Sequence, residues 1–283
     1  MGFHTKPTTF VGQVKIKVED LARSLKFYQE VLGFNILEQT ISTVKLTSDG
    51  KTSILSLEQP DNVTPKQGRT TGLYHFAILL PERSDLANIV IHLVNNGIKF
   101  GSSDHLVSEA LYLDDPDGNG IEIYIDRDPS EWSWKREEVA MTVDPLDFEN
   151  LLTTVKPGVN WQGMPVETVM GHIHLHVSEL KKTEEFYVKG LGFDVVNRYG
   201  GQALFLSSGK YHHHIGVNTW NGTGAPTPSA NSVGLESFTL IYANEEARNQ
   251  VIVNLRKIGA NVREVNNSFI THDSSGNQVE LAV

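Results

Sequence analysis

VKIKVEDLARSLKFYQEVLGF (14–34) returns as IHLHVSELKKTEEFYVKGLGF (173–193). The offset is constant: Leu21, Phe27, Tyr28, Leu32, Gly33 and Phe34 become Leu180, Phe186, Tyr187, Leu191, Gly192 and Phe193. DPDGNGIEIY (115–124) returns in the same way as DSSGNQVELA (273–282), carrying Gly118, Asn119 and Glu122 into Gly276, Asn277 and Glu280. An apolar run precedes each closing segment, GLYHFAILL (72–80) and GLESFTLIY (234–242). Such a repeat constrains the fold before any local reading does. The chain is a duplicated half, and each half is two related units.

Within a unit the local signals are clear. VKIKV alternates apolar and polar residues, the pattern of a half-buried strand. The next stretch places apolar residues at 21, 25, 28, 31 and 32, a helical face, and Gly33 is suited to cap it. VKLTSDGKTSILSLE is two alternating runs around Asp49-Gly50, which predicts a hairpin. In the second unit DLANIVIHLVNNG (85–97) predicts a helix stopped by glycine, and VSEALYLDDPDGNGIEIY a second hairpin. The expected fold class is α+β: four βαβββ modules at 10–58, 71–126, 168–220 and 232–283, forming curved mixed sheets with helices on their outer faces. The modules group by sequence into an N-terminal pair (1–126) and a C-terminal pair (168–283). Residues 127–167, with Trp132, Trp134 and Trp161, join the two and should be partly helical around DPLDFENLL (144–152).

Composition narrows the function. With 39% hydrophobic and 20% charged residues, the 283-residue chain has an ordinary globular make-up. Its longest apolar runs, such as FAILL (76–80), are too short to cross a bilayer, so no membrane partner is expected. MGFHTKPTTF has no apolar core ahead of a cleavage site, and Lys6 stands where a myristoylation signal wants Ser or Thr. The absence of cysteine removes disulfides, thiolate nucleophiles and Cys-ligated metals, and fits a cytoplasmic setting. A net charge of −10 without a basic patch argues against nucleic acid. A homo-oligomer is compatible with all of this. Six of the eleven histidines are concentrated in GHIHLHV (171–177) and KYHHHIGV (210–217), with others at His75 and His105.

The pattern V-x-D-L-x-x-S-x-x-F-Y-x-x-x-L-G-F after a strand, and the closing D-P-x-G-N-x-x-E, resemble the vicinal-oxygen-chelate (glyoxalase/bleomycin-resistance/extradiol dioxygenase) superfamily. GLYHFAILLP, SDHLVSEALYLDDPDGNGIEIY, GHIHLHV and YHHHIGVNTWNG are similar to its catechol-2,3-dioxygenase-like branch. The resemblance covers nearly the whole chain outside 127–167. It implies that two modules close a curved sheet around a cleft, and that two histidines and one carboxylate hold a divalent metal, Fe(II) or Mn(II). Such a triad leaves open positions for catecholate oxygens and O2. The expected partners are therefore a small aromatic substrate and O2. No organic cofactor is implied.

Carried over position by position, the first-strand ligand falls on Gln13, His75, His172 and Ser237, and the last-strand carboxylate on Glu122 and Glu280. Pairing sequential modules gives two imperfect sets, Gln13/His75/Glu122 and His172/Ser237/Glu280. Pairing the second module with the third gives a complete one, His75, Glu122 and His172. The resemblance further implies that Tyr112, whose fourth-module counterpart is Ile270, hydrogen-bonds the substrate. It implies an acid–base histidine at His213 or His214: the family match favours the first, strand alternation the second. His105 is a further candidate beside the substrate.

Each candidate also has a plain structural reading. Glu122 could be an edge-strand carboxylate, Tyr112 a packing aromatic, and the HHH run a solvated strand end. His4 and His92 read as structural. His174 and His176 share the strand face of His172 and read as side chains that line the cleft or bond each other. For His75 the structural reading is weaker, because an unpaired imidazole in an apolar strand is costly. The alternatives to ring cleavage within the superfamily are a glyoxalase-type isomerase, a thiol-transfer resistance enzyme and a non-catalytic binder of aromatic drugs.

Overall fold

The computed structural model describes residues 2–155, 158, 160–266 and 268–283. The first module runs β1 (Phe10–Lys17), α1 (Leu21–Glu30), β2 (Asn35–Gln39), β3 (Thr43–Thr47) and β4 (Leu55–Glu58). The second runs β5 (Gly72–Leu79), α2 (Arg83–Asn95), β6 (Gly101–Asp104), β7 (Ser108–Asp114) and β8 (Gly120–Asp126). The connection holds a short ribbon, β9 (Trp134–Lys135) with β10 (Glu138–Val139), and the helix α3 (Phe148–Leu152). The third module is β11 (Val169–His176), α4 (Leu180–Glu184), β12 (Asp194–Tyr199), β13 (Ala203–Ser207) and β14 (Ile215–Asn218). The fourth is β15 (Gly234–Ile241), α5 (Glu245–Lys257), β16 (Val262–Val265), β17 (Ser268–His272) and β18 (Gln278–Ala282). Every module is βαβββ, and the architecture is α+β as expected.

Local departures have local causes. The predicted hairpin at Asp49-Gly50 forms, with β3 antiparallel to β4, but its connection is longer than two residues. Asp49 Oδ1 accepts from Thr47 Oγ1 and from the backbone N–H groups of Lys51 and Thr52, an Asx-type turn that winds the loop around the carboxylate. In the third module α4 gives way to a π-helical turn, Glu185–Gly190, not seen in the first. Gly190 stands where the first module has Val31, and a Cβ there would lie 2.8 Å from Leu255 Cδ2, so the glycine admits α5 at close range.

The sheets join modules across the two halves of the sequence. One has the order β16-β17-β18-β15-β1-β4-β3-β2, the other β12-β13-β14-β11-β5-β8-β7-β6. The first module therefore shares a sheet with the fourth, through antiparallel β1 and β15, and the second with the third, through antiparallel β5 and β11. Within a module the first and last strands are parallel, β1 with β4 and β5 with β8.

The pleat then separates core from site. On β8, Ile121, Ile123 and Ile125 enter the main core, while Glu122 and Tyr124 point to the opposite face. On β5, Phe76 and Ile78 are core, and His75 and Ala77 take the other face. Strand register aligns Tyr112, Glu122, Ala77 and His172 in one row across β7, β8, β5 and β11, with His75 opposite His174 in the next row. The same row in the other sheet reads Ile270, Glu280, Thr239 and Gln13.

Candidate metal centre

Glu122, His75 and His172 are 3%, 6% and 1% exposed, and their ligand atoms all lie within 4.8 Å of one another. Glu122 Oε2 is 3.0 Å from His172 Nε2, which hydrogen-bonds it, and 2.9 Å from His75 Nε2. Ala77 sits between them in the register row, and its small side chain leaves room for two imidazoles to converge on one carboxylate. Ala77→Leu should fill that space. Overpacking of this kind costs about 1–3 kcal/mol, and we expect metal affinity, measured by anaerobic titration, to fall by more than about tenfold, on the scale of a lost outer-shell partner.

Burial alone would push the Glu122 carboxyl up, but the His172 and His75 imidazoles beside it hold it well below the usual carboxylate range. Burial draws His172 down to about 4, against the opposing pull of Glu122. A neutral imidazole next to an ionised carboxylate is the protonation state that a metal requires of these ligands. The donor set fits a divalent first-row cation. One further observation supports the fit: His75 Nε2 is buried and makes no hydrogen bond despite its closeness to Glu122. A buried polar atom without a partner costs about 1–3 kcal/mol, and a cation bound between the three side chains would take up that lone pair.

A cavity of about 450 Å³ opens beside the triad. Tyr74, Phe205 and Trp220 give it aromatic walls, and His75, Glu122 and Tyr112 line it on the metal side. The Tyr112 hydroxyl is 2.7 Å from His105 Nε2, and His105 Nδ1 is 2.6 Å from Thr142 O. The carbonyl can only accept, so Nδ1 carries the hydrogen, Nε2 is a bare acceptor, and the Tyr112 hydroxyl donates to it. The Tyr112 oxygen is thereby left as an acceptor. Burial and then the Glu122 charge push the Tyr112 pKa well above 10, so the phenol stays protonated.

The two remaining candidates separate. His213 lines the cavity, its ring centroid 4.1 Å from that of His172. His214 is buried elsewhere: its Nε2 is 3.0 Å from Phe3 O and its Nδ1 accepts from Ser208 N. The His214 backbone does join the ladder, its N–H bonded to Leu206 O and its carbonyl to Ile173 N, but its imidazole is taken up by Phe3 O and Ser208 N instead of lining the cavity. The HHH run is not a solvated strand end, since all three imidazoles are buried. His174 also lines the cavity, with Nε2 accepting from Asn218 Nδ2 at 2.9 Å, and His176 Nδ1 donates to Asn218 Oδ1 at 2.7 Å. His92 bonds Val31 O and His4 bonds Gly171 O, both structural contacts. Sequence reasoning missed Asp126 and His212, which lie behind His213: His212 bridges Asp126 and His213. His212 lies in the HHH run but was given no role, and no motif marks Asp126.

The positions left over lie in the other sheet and are satisfied among themselves. Ser237 Oγ donates to Glu280 Oε1 at 2.8 Å, and Gln13 Nε2 to Ser53 Oγ at 2.6 Å. A larger crevice of about 750 Å³ is lined by both sheets. Its lysines are engaged, Lys17 with Glu236 and Ala230 O, and Lys66 with Gly118 O.

Buried imidazoles also make the protein acid-sensitive. Burial is the largest cause of lowered pKa at His4, His172, His174, His213 and His214. Each stays neutral in the folded chain at a pH where the unfolded chain, titrating near 6.5, binds a proton. Their contribution to stability is complete above pH 6.5 and is lost as pH falls toward 4. His172 alone accounts for on the order of 3 kcal/mol. The melting temperature of the metal-free protein should therefore hold level from pH 8 to 7 and drop steeply from 6.5 to 4.

Residues 10–123 match the model of the Glyoxalase/Bleomycin resistance protein/Dioxygenase superfamily. Over 268 residues the chain is 45% identical to the catechol-2,3-dioxygenase of Bacillus subtilis (strain 168), covering 94% of each protein. Among solved structures, one from Bacillus subtilis superposes with a TM-score of 0.67 at 16% identity, covering 98% of this chain and 86% of that one. Glyoxalase I from Zea mays superposes with a TM-score of 0.60 at 16% identity, covering 97% and 92%. At these identities the two structures speak to the fold.

Proposed function

The chain belongs to the glyoxalase/bleomycin resistance protein/dioxygenase superfamily, and we propose that within it the protein is an extradiol dioxygenase, opening a catechol-type ring beside its two hydroxyls. The observation that carries this is the convergence of His75, His172 and Glu122 beside an aromatic-lined cavity whose wall includes His75 and Glu122. The 45% identity to a catechol-2,3-dioxygenase supports the same reading.

In this reading His75, His172 and Glu122 hold Fe(II), or Mn(II) in its place. When bound, the metal supplies adjacent positions for the two catechol oxygens and for O2. Tyr74, Phe205 and Trp220 stack around the ring and exclude water. His213 accepts the proton of a catechol hydroxyl and later returns one, a role suited to imidazole. Tyr112, its hydrogen committed to His105, accepts a hydrogen bond from the second hydroxyl. A small aromatic substrate and O2 fit a role in aromatic catabolism, and the absence of cysteine fits a cytoplasmic setting. The working unit is the pair of modules 71–126 and 168–220.

The test is O2 uptake after anaerobic loading with Fe(II). With catechol present, we expect one O2 consumed per ring opened. A loaded protein that consumes no O2 with catechol or substituted catechols overturns the reading, and turnover of a substrate without O2 would favour the isomerase instead.

A further inference from the structure

Behind the cavity wall the hydrogen bonds run in one direction. Asp126 Oδ1 accepts from His212 Nε2 at 2.8 Å and from the Tyr211 hydroxyl at 3.1 Å. The Tyr124 hydroxyl is 2.7 Å from that of Tyr211 and, with the Tyr211 hydrogen already directed to Asp126, is the donor of that pair. His212 Nδ1 is 2.8 Å from His213 Nδ1. His212 and Tyr211 are both fully buried. A carboxylate only accepts, so it holds the His212 hydrogen on Nε2. In the neutral ring Nδ1 is then a bare acceptor, and the hydrogen between the two imidazoles belongs to His213 Nδ1. The opposite nitrogen of His213, Nε2, is left bare, and among the described residues it makes no hydrogen bond. His213 is a wall of the cavity.

We infer that Asp126 and His212 are positioning residues that fix the tautomer of His213, with hydrogen on Nδ1 and a bare Nε2 turned to the substrate. The inference rests on the dioxygenase reading for its consequence: a bare Nε2 can take a proton from a catechol hydroxyl as soon as substrate arrives, whereas the other tautomer would present a hydrogen there and could not. The arrangement follows the general logic by which a carboxylate orients a catalytic imidazole. Here a second imidazole is inserted between the carboxylate and the base.

The tautomer is measured directly by nitrogen NMR of the full-length, metal-free protein labelled at histidine, at a pH above 7. The expected result is a His213 with a protonated Nδ1 and an unprotonated Nε2. Asp126→Leu keeps much of the volume but takes the acceptor away from His212 Nε2. It should populate the Nε2-protonated form of His213 and lower kcat by tenfold or more, with KM and metal affinity unchanged. His212→Phe removes the link and should have the same two effects. A wild-type His213 protonated at Nε2 overturns the inference, and so does a tautomer unmoved by both substitutions. If Asp126→Leu does not fold, His212→Phe and the wild-type spectrum decide. Because the spectrum needs neither metal nor turnover, its outcome is separate from that of O2 uptake. The predicted tautomer in a protein without dioxygenase activity would sink the proposed reaction, and full activity with the opposite tautomer would sink the positioning role.

Discussion

Glu122→Ala is expected to abolish metal binding and turnover, while Glu280→Ala leaves both nearly intact. The two residues are counterparts in the repeat, each on the last strand of its module and each one place along a register row from a first strand. Their surroundings differ. Glu122 faces two imidazoles, one of them without a hydrogen bond of its own. Glu280 faces Ser237 and accepts its hydroxyl. Loss of an outer-shell partner costs 10–100-fold in metal affinity, so loss of a ligand should cost more, on the order of 10³-fold. Glu280→Ala forfeits one hydrogen bond, worth about 1 kcal/mol of stability. Metal stoichiometry after anaerobic loading and dialysis, measured on both variants beside the wild type, distinguishes the two. A silent Glu122→Ala with a lethal Glu280→Ala would move the site to the other sheet.

His213→Ala should lower kcat by 10²- to 10⁴-fold, the range for removal of a positioned proton-transfer group, and leave metal affinity within a few-fold of wild type. His213 packs on the His172 ring but lies outside the set of atoms that converge on Glu122. His214→Ala is the contrast. That imidazole ties the N-terminal segment to β13 through Phe3 O and Ser208 N, so its loss should lower the melting temperature and affect kcat little. Steady-state kinetics on metal-saturated variants, with calorimetry alongside, separate the two roles. A kcat collapse in His214→Ala with His213→Ala unaffected would reverse the assignment.

Much of this was legible in the chain. The repeat of 14–34 in 173–193 fixed the βαβββ order, because apolar period and cap residues recur together. Glu122 was visible through its place in a repeated closing segment, and His75 because it interrupts an apolar strand. The strand partners were legible only through the ligand set, which is complete when the second module pairs with the third and split otherwise. Nothing local distinguishes β1 pairing with β5 from β1 pairing with β15, since each first strand offers the same alternating edge, and the choice is settled by how whole modules pack. The surroundings of His214 were not legible for a related reason: its imidazole is covered by the N-terminal segment through Phe3 O, 211 positions away in sequence. Asp126 and His212 escaped notice because their role comes from a bond across 86 positions of sequence.

Anomalous diffraction from crystals grown anaerobically with Mn(II) tests the central claim most directly. One peak per chain is expected, within bonding distance of His75, His172 and Glu122 and open on the side of the aromatic cavity. A peak held by Glu280, with none at Glu122, would contradict it.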